Sequence, residues 1–354
     1  IRDSNNRLNV SFDAYIRDTK DMLMAGKTLP GVYGASSPRM NVADLRTKGW
    51  EASITWGDSF TLASKPFNYR VMAGIGDNTS KVTKYDNPNR TLTDPYEGQQ
   101  LGEIWGYVVD GYFKTDEEAR NYKVDQSFVN QMINASALDN GLHAGDLKFV
   151  DLDGNNKIEQ TTSANDRKDM KVIGNSLPRY NYNFGISADW YGIDFSVLFQ
   201  GIGKQNWYPG AETSMFWGPY SRPYASFIPS DFMSQVWSEE NTDAYFPRPR
   251  GYVALGSNRE LAVVNTKYLQ NLAYCRLKNL SIGYTLPDKW LSKIGFEKIR
   301  VYFSGENLLT FTKLHSDYID PEQASASNSW KTSKSDANIY PWAKTYSFGV
   351  DITF

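Results

Sequence analysis

The sequence predicts an all-β fold, a transmembrane antiparallel β-barrel segment of about eight strands with long external loops, on three observations. The chain ends in a strictly alternating stretch, in which Tyr346, Phe348, Val350, Ile352 and Phe354 share one face while Thr345, Ser347, Gly349, Asp351 and Thr353 share the other. A strand that ends on an open aromatic is an aggregation hazard unless lipid or another strand covers it, and a barrel strand in a bilayer has that cover. Similar alternation recurs along the 354 residues, with almost no helical periodicity. The third observation is the aromatic supply of 10 Trp, 23 Tyr and 18 Phe, enough for girdles at both membrane interfaces.

Taken in order, Leu8, Val10, Phe12, Ala14 and Ile16 interleave with Asn9, Ser11, Asp13 and Arg17, which marks a first strand. Trp50, Ala52, Ile54 and Trp56 mark a second, and Phe67, Tyr69, Val71, Ala73 and Ile75 a third. The clearest alternation runs from Tyr180 to Trp190, and after a turn at Tyr191-Gly192 it resumes with Ile193, Phe195, Val197 and Phe199. Further strands cover Leu269 to Leu286 and Ile299 to Leu308. Within the first of these the apolar phase shifts from Cys275 and Leu277 to Leu280, Ile282 and Tyr284, which predicts a β-bulge near Lys278-Asn279.

Short links at Gly57 to Pro66, Tyr191-Gly192 and Pro287 to Gly295 alternate with long ones at Ala25 to Lys48, Tyr85 to Arg179, Gln205 to Lys267 and Lys313 to Lys344. That is the pattern of short periplasmic turns and long external loops, and eight spanning strands satisfy it with the C-terminus inside. Leu101 to Phe113 would break the parity as a ninth span, so it is assigned to the external region. An eight-stranded barrel has room only for its own side chains, whereas loops this long suit part of a larger barrel.

Composition excludes several classes. No stretch of about 18 apolar residues exists, so a transmembrane helix is excluded. A net charge of −2 without a basic run gives no case for nucleic acid. Cys275 is the single cysteine, which rules out an internal disulfide and a cysteine zinc site. The start at Ile1-Arg2-Asp3, without methionine or signal peptide, reads as a processed or partial chain.

Two constellations carry possible chemistry. In Asp151-Leu152-Asp153-Gly154-Asn155-Asn156-Lys157, oxygens at alternate positions converge on a hard cation when the loop curls, the principle of the EF-hand. Asp151, Asp153 and Asn155 would supply side chains and Lys157 its carbonyl, while Asn156 stands where glycine is usual and Thr162 where the closing acid is expected. A structural Ca²⁺ site and a metal-free polar turn both remain open. The second is a set of loop aromatics, Trp207, Tyr208, Phe216, Trp217, Tyr220, Tyr224, Phe227 and Trp237. Trp207, Trp217 and Tyr220 are the candidates to line a substrate path, against the alternative that the set packs the loop or meets a partner protein.

No catalytic residue is assigned, and no organic cofactor. His143 and His315 are the only histidines, and no Gly-x-Ser-x-Gly, His-Glu-x-x-His or Walker sequence occurs. Acids are plentiful enough for a glycosidase pair, but scattered acids are the default lining of a lumen. Arg17, Arg70 and Arg276 read likewise as lumen charges.

Several blocks resemble SusC/RagA-type TonB-dependent transporters. They are Arg276-Leu277-Lys278-Asn279-Leu280-Ser281-Ile282-Gly283-Tyr284-Thr285-Leu286-Pro287, then Val301 to Phe311, Tyr318-Ile319-Asp320-Pro321-Glu322, and Tyr340-Pro341 with the final strand. Upstream, Asn41 to Glu51, Gly106 to Phe113 and Gly145 to Gly174 match in the same order, so the resemblance covers nearly the whole chain. It implies a barrel of about 22 strands with an N-terminal plug. Residues 1–354 would be its C-terminal eight strands, with the plug and remaining strands outside this sequence. It further implies an outer-membrane location in a Gram-negative bacterium, import of oligosaccharides or peptides, a SusD-like lipoprotein partner and energy from the TonB complex. On the same resemblance Asp166 would be the closing acid of the Asp151 loop, and Tyr346, Phe348, Val350, Ile352 and Phe354 the assembly signal of the barrel. Two other classes stay open, a structural or adhesive surface barrel and a barrel hydrolase.

Overall fold

A computed structural model describes residues 7–26, 29–130, 141–221, 228–249, 254–256, 259–291, 295–324, 334–335 and 341–354. Eight long strands form one antiparallel sheet: β1 (Leu8–Ala25), β2 (Arg39–Leu62), β3 (Lys65–Lys84), β8 (Arg179–Trp190), β9 (Ile193–Lys204), β12 (Tyr274–Thr285), β13 (Lys298–Thr312) and β15 (Thr345–Thr353). They pair in that order, each with its neighbour in sequence among the eight. The sheet does not close on itself: β1 and β15 are its edges, as expected for part of a larger wall.

Register explains why the alternation matters. One row crosses seven strands through Trp56, Val71, Ile186, Val197, Leu280, Gly305 and Tyr346, all on the apolar face. The row beside it on the opposite face runs Arg70, Ser187, Ser196, Ser281, Ser304 and Ser347. The period of two is thus kept in phase across the whole sheet. Apolar side chains on the first face stay open, as with Phe12 at 66% and Phe348 at 84%, which in water would be a large exposed patch. No described helix is long and apolar enough to cross a membrane, so any crossing is made by strands.

The strands are longer than a bilayer requires. At roughly 3.3 Å per residue the 24 residues of β2 outrun the hydrocarbon core even when tilted. On the apolar-face row beyond Ile16 the sequence turns charged, and Asp18 pairs with Arg46 at 2.7 Å. The β2–β3 turn is confined to Ala63 and Ser64, both with positive φ, so it is tighter than the expected Gly57 to Pro66 link. Likewise β2 begins at Arg39 rather than after Lys48. The predicted bulge is present: β12 shifts register between Leu277 and Asn279 against both β9 and β13.

Small elements build the external region. These are β4 (Glu103–Tyr107) with β7 (Met170–Asn175), β5 (Val109–Tyr112) with β6 (Leu147–Phe149), and β10 (Asn206–Pro209) between β11 (Gln270–Asn271) and β14 (Lys334–Ser335). Leu101 to Phe113 therefore lies off the main sheet, as the parity argument required.

Candidate functional site

The long connections do not behave as separate loops. Residues from three of them, among them Phe149, Trp217, Phe246, Tyr268 and Ile319, share one buried core, so the external region is a packed lobe. Trp207 and Trp217 are fully buried and Tyr220 is 1% exposed. Trp217 stacks edge-on against Phe216 at 4.7 Å and Tyr268 at 5.2 Å, and its indole donates to the Gly210 carbonyl at 2.9 Å. The Tyr220 hydroxyl donates to Pro247 and its ring stacks on Phe246 at 5.9 Å. The rings of Trp217 and Tyr220 are already packed on other aromatics, and all three side chains, Trp207, Trp217 and Tyr220, lie buried within the lobe, the alternative in which the set packs the loop itself. Tyr208, Phe216 and Trp237 are buried as well, and Tyr224 and Phe227 lie outside the described residues.

Several polar groups of the lobe core meet in pairs, while the Tyr107 hydroxyl and the Trp237 indole N–H are buried without one. Tyr112 and Tyr268 hydroxyls meet at 2.9 Å, and the Asn265 amide donates to Tyr208 at 2.9 Å. Burial pushes the Tyr208 and Tyr268 phenols far up and Tyr245 to about 12, so all three stay neutral; the Tyr245 hydroxyl accepts from the Gln270 amide at 2.8 Å. His315 belongs to this packing: its ring stacks on Tyr245 at 3.5 Å, Nε2 lies 2.8 Å from Gln235 Oε1, and burial lowers its pKa. Large apolar side chains that remain open in the external region include Val32, Tyr33, Met233, Tyr318 and Trp342. Nothing in the local sequence distinguishes these from the buried set, because burial there is decided by partners distant in sequence.

The Asp151 loop curls as the spacing predicts. Asp151 accepts from the Gly154 and Asn156 amides at 2.7 Å each, Asp153 from Asn155 at 3.1 Å, and Asn155 from Lys157 at 2.8 Å. Asn156 takes φ 63, the left-handed turn that glycine usually supplies at this position. The acid that joins the loop is Asp169 and not Asp166: carboxylate oxygens of Asp151, Asp153 and Asp169 lie within 4.8 Å of one another. Asp166 is exposed, its amide closing a turn on the Ser163 carbonyl at 3.1 Å. Asp169 is fully buried and accepts from the Leu152 and Glu159 amides at 2.8 and 2.7 Å. Burial raises its pKa, and the neighbouring Asp153 and Asp151 add to the rise. Three hard oxygen donors within one ion's reach fit a divalent cation, and the same amide bonds also suffice to shape the turn without one.

At the other end of the wall, Tyr346, Phe348, Val350, Ile352 and Phe354 are all exposed on the apolar face of β15, which pairs with β13. Phe303 lies against Phe348 at 5.2 Å, and Phe296 from the β12–β13 turn lies against Phe354 at 5.2 Å.

A two-faced open sheet, apolar outside and small and polar inside, with its lobe at one end, defines a segment of a transmembrane barrel wall. No protein-family model matches the chain. It is 28% identical over 368 residues to "TonB-dependent receptor P3" of Formosa agariphila, covering 99% of this chain and 32% of that protein. It is 22% identical over 352 residues to "TonB-dependent receptor SusC" of Bacteroides thetaiotaomicron, covering 99% of this chain and 30% of that protein. Among solved structures, the RagAB peptide importer in its open-open state superposes with a TM-score of 0.69 at 21% identity, over 99% of this chain and 33% of that one. Its closed-closed state gives 0.66 at 22% identity, over 99% and 34%. The chain is similar throughout its length to a segment of SusC-like TonB-dependent receptors and shares the fold of the matching part of RagAB, and it spans about a third of the length of the curated relatives it matches. Those relatives are named as receptors and importers rather than as enzymes.

Proposed function

We propose that this chain contributes the wall and external lobe of an outer-membrane importer of oligosaccharides or peptides, energised through the TonB complex and working with a SusD-like surface lipoprotein. The observation that carries the reading is the inner face of the sheet, where Ser187, Ser196, Ser281, Ser304 and Ser347 lie side by side in register. Small hydroxyls leave room in the lumen and offer hydrogen bonds without a fixed charge, which suits passage of a polar solute. The names of the relatives, TonB-dependent receptors and a peptide importer, support the same class. The test is growth and uptake of labelled oligosaccharide and peptide pools by a strain lacking the gene. Uptake restored by the gene and abolished again by removal of TonB supports the proposal, and TonB-independent uptake refutes it.

Two site assignments belong to the same proposal. Asp151, Asp153, Asn155, Lys157 and Asp169 would hold a structural Ca²⁺ that pins the lobe, with Asp169 in the place first given to Asp166. Tyr346, Phe348, Val350, Ile352 and Phe354 would act as the recognition strand for outer-membrane assembly.

A further inference from the structure

Among the arginines read from the sequence as lumen charges, Arg276 is set apart by burial. Its side chain is 3% exposed, whereas Arg17 and Arg70 are both open. The guanidinium donates to three partners: Asp320 Oδ1 at 2.7 Å, Glu322 Oε2 at 2.6 Å and Thr310 Oγ1 at 3.0 Å. It also lies over the Tyr274 ring at 5.6 Å. Lys278 donates to both oxygens of Glu322, at 2.8 and 2.7 Å. Asp320 receives the returning chain too, since the Trp342 amide donates to its Oδ2 at 3.1 Å. Outgoing and returning limbs of the last external connection therefore meet at one knot of two bases and two acids, buried at Arg276 and Asp320 and half-buried at Lys278 and Glu322.

The knot stands where wall and lobe join. Arg276 is opposite Gln200 on β9 and Thr310 on β13, near the lobe end of both strands. Ile319 and Ala324, on either side of Asp320 and Glu322, are buried in the lobe core. The β12 bulge makes this possible. Along an unbroken strand Arg276, Lys278 and Leu280 would share a face. The extra residue between Leu277 and Asn279 turns Arg276 and Lys278 inward while Leu280 stays on the apolar row.

We propose that Arg276 is a positioning residue that docks the external lobe onto the barrel wall by holding Asp320 and Glu322. A guanidinium suits the task because its fixed fork can serve two carboxylates and a hydroxyl at once, which an ammonium does less well. Removing it strands the Asp320 carboxylate in a site with little water and leaves Glu322 to Lys278 alone, so the 314–324 segment leaves the wall while strand pairing, which does not use these groups, persists.

The test is hydrogen exchange on the protein purified from outer membranes. Arg276→Met is expected to speed amide exchange over 314–324 by about tenfold or more, with protection in β15 unchanged. Unchanged exchange at 314–324, or equal loss through β15, overturns the proposal. A double variant, Arg276→Met with Asp320→Asn, removes the stranded charge and leaves Glu322 paired with Lys278. Exchange that stays fast in the double variant shows that attraction by Arg276 holds the lobe, and a return to the wild-type rate shows mere charge compensation and refutes the assignment. Uptake measured in the same variants bears on the importer reading alone, so the two can fail separately.

Discussion

Replacing Trp217 by alanine should open the external lobe without disturbing the wall. The side chain is fully buried, with rings of Phe216 and Tyr268 at 4.7 and 5.2 Å and its Nε1 on the Gly210 carbonyl at 2.9 Å. Truncating a buried Trp costs about 3–5 kcal/mol, and leaving the Gly210 carbonyl without its donor adds about 1–3 kcal/mol if no water replaces it. A loss of about 4 kcal/mol raises the population of the opened lobe by roughly a thousandfold. Pulse proteolysis in detergent reads this directly, because cleavage of a transiently opened region follows its population. The eight-stranded sheet is followed in the same sample by heat-dependent gel mobility and should not change. Trp217→Phe keeps most of the ring contacts and should lose about 1–2 kcal/mol. If Trp217→Ala leaves proteolysis of the lobe at the wild-type rate but abolishes ligand affinity, the core assignment fails and the original substrate-path reading returns.

Three more outcomes are expected. Gly283→Ala should weaken the closing strands, since an added Cβ would stand 2.5 Å from Asp194 and 2.6 Å from Arg300, which bond across β12 at 2.7 Å. The melting midpoint in detergent should fall by the equivalent of about 0.5–1 kcal/mol as the ion pair is displaced, whereas Gly57→Ala, whose nearest neighbour would be 3.5 Å away, should be silent. The raised Asp169 carboxyl favours the ion-free loop when protonated and the lowered Asp151 carboxyl works in the opposite sense, so protection should fall less steeply with rising pH in Asp169→Asn than in the wild type. Calcium needs the ionised form, so it should restore protection at neutral pH, and calorimetry on Asp169→Asn should show the heat of binding lost while Asp166→Asn keeps it. Deleting Phe354 should lower the folded fraction in outer membranes while Thr353→Ala does not, and equal assembly of both would remove the proposed recognition role of the terminus.

Much of the wall was legible because its rule is local. A side chain two residues along a strand returns to the same face, so Tyr180 to Trp190 and Thr345 to Thr353 could be read from their own letters. The bulge at Lys278 was legible for the same reason, as a break in phase. Exposure in the lobe followed no such rule. Trp217 and Trp342 are equally apolar in sequence, yet one is fully buried and the other 51% exposed. That Asp169 rather than Asp166 comes back to the Asp151 loop was not legible, because a motif fixes the curl of nearby residues and not the later point at which the chain returns.

By itself, then, the sequence determined the class of fold, the two faces of the wall, the number of its long strands and the curl of the acidic turn, all consequences of neighbours within a few residues. Only the tertiary structure decided that three connections merge into one lobe, that Asp169 joins Asp151 and Asp153, and that Arg276 is buried between Asp320 and Glu322. These are meetings of residues separated by up to dozens of positions, and they depend on which surfaces exclude water together.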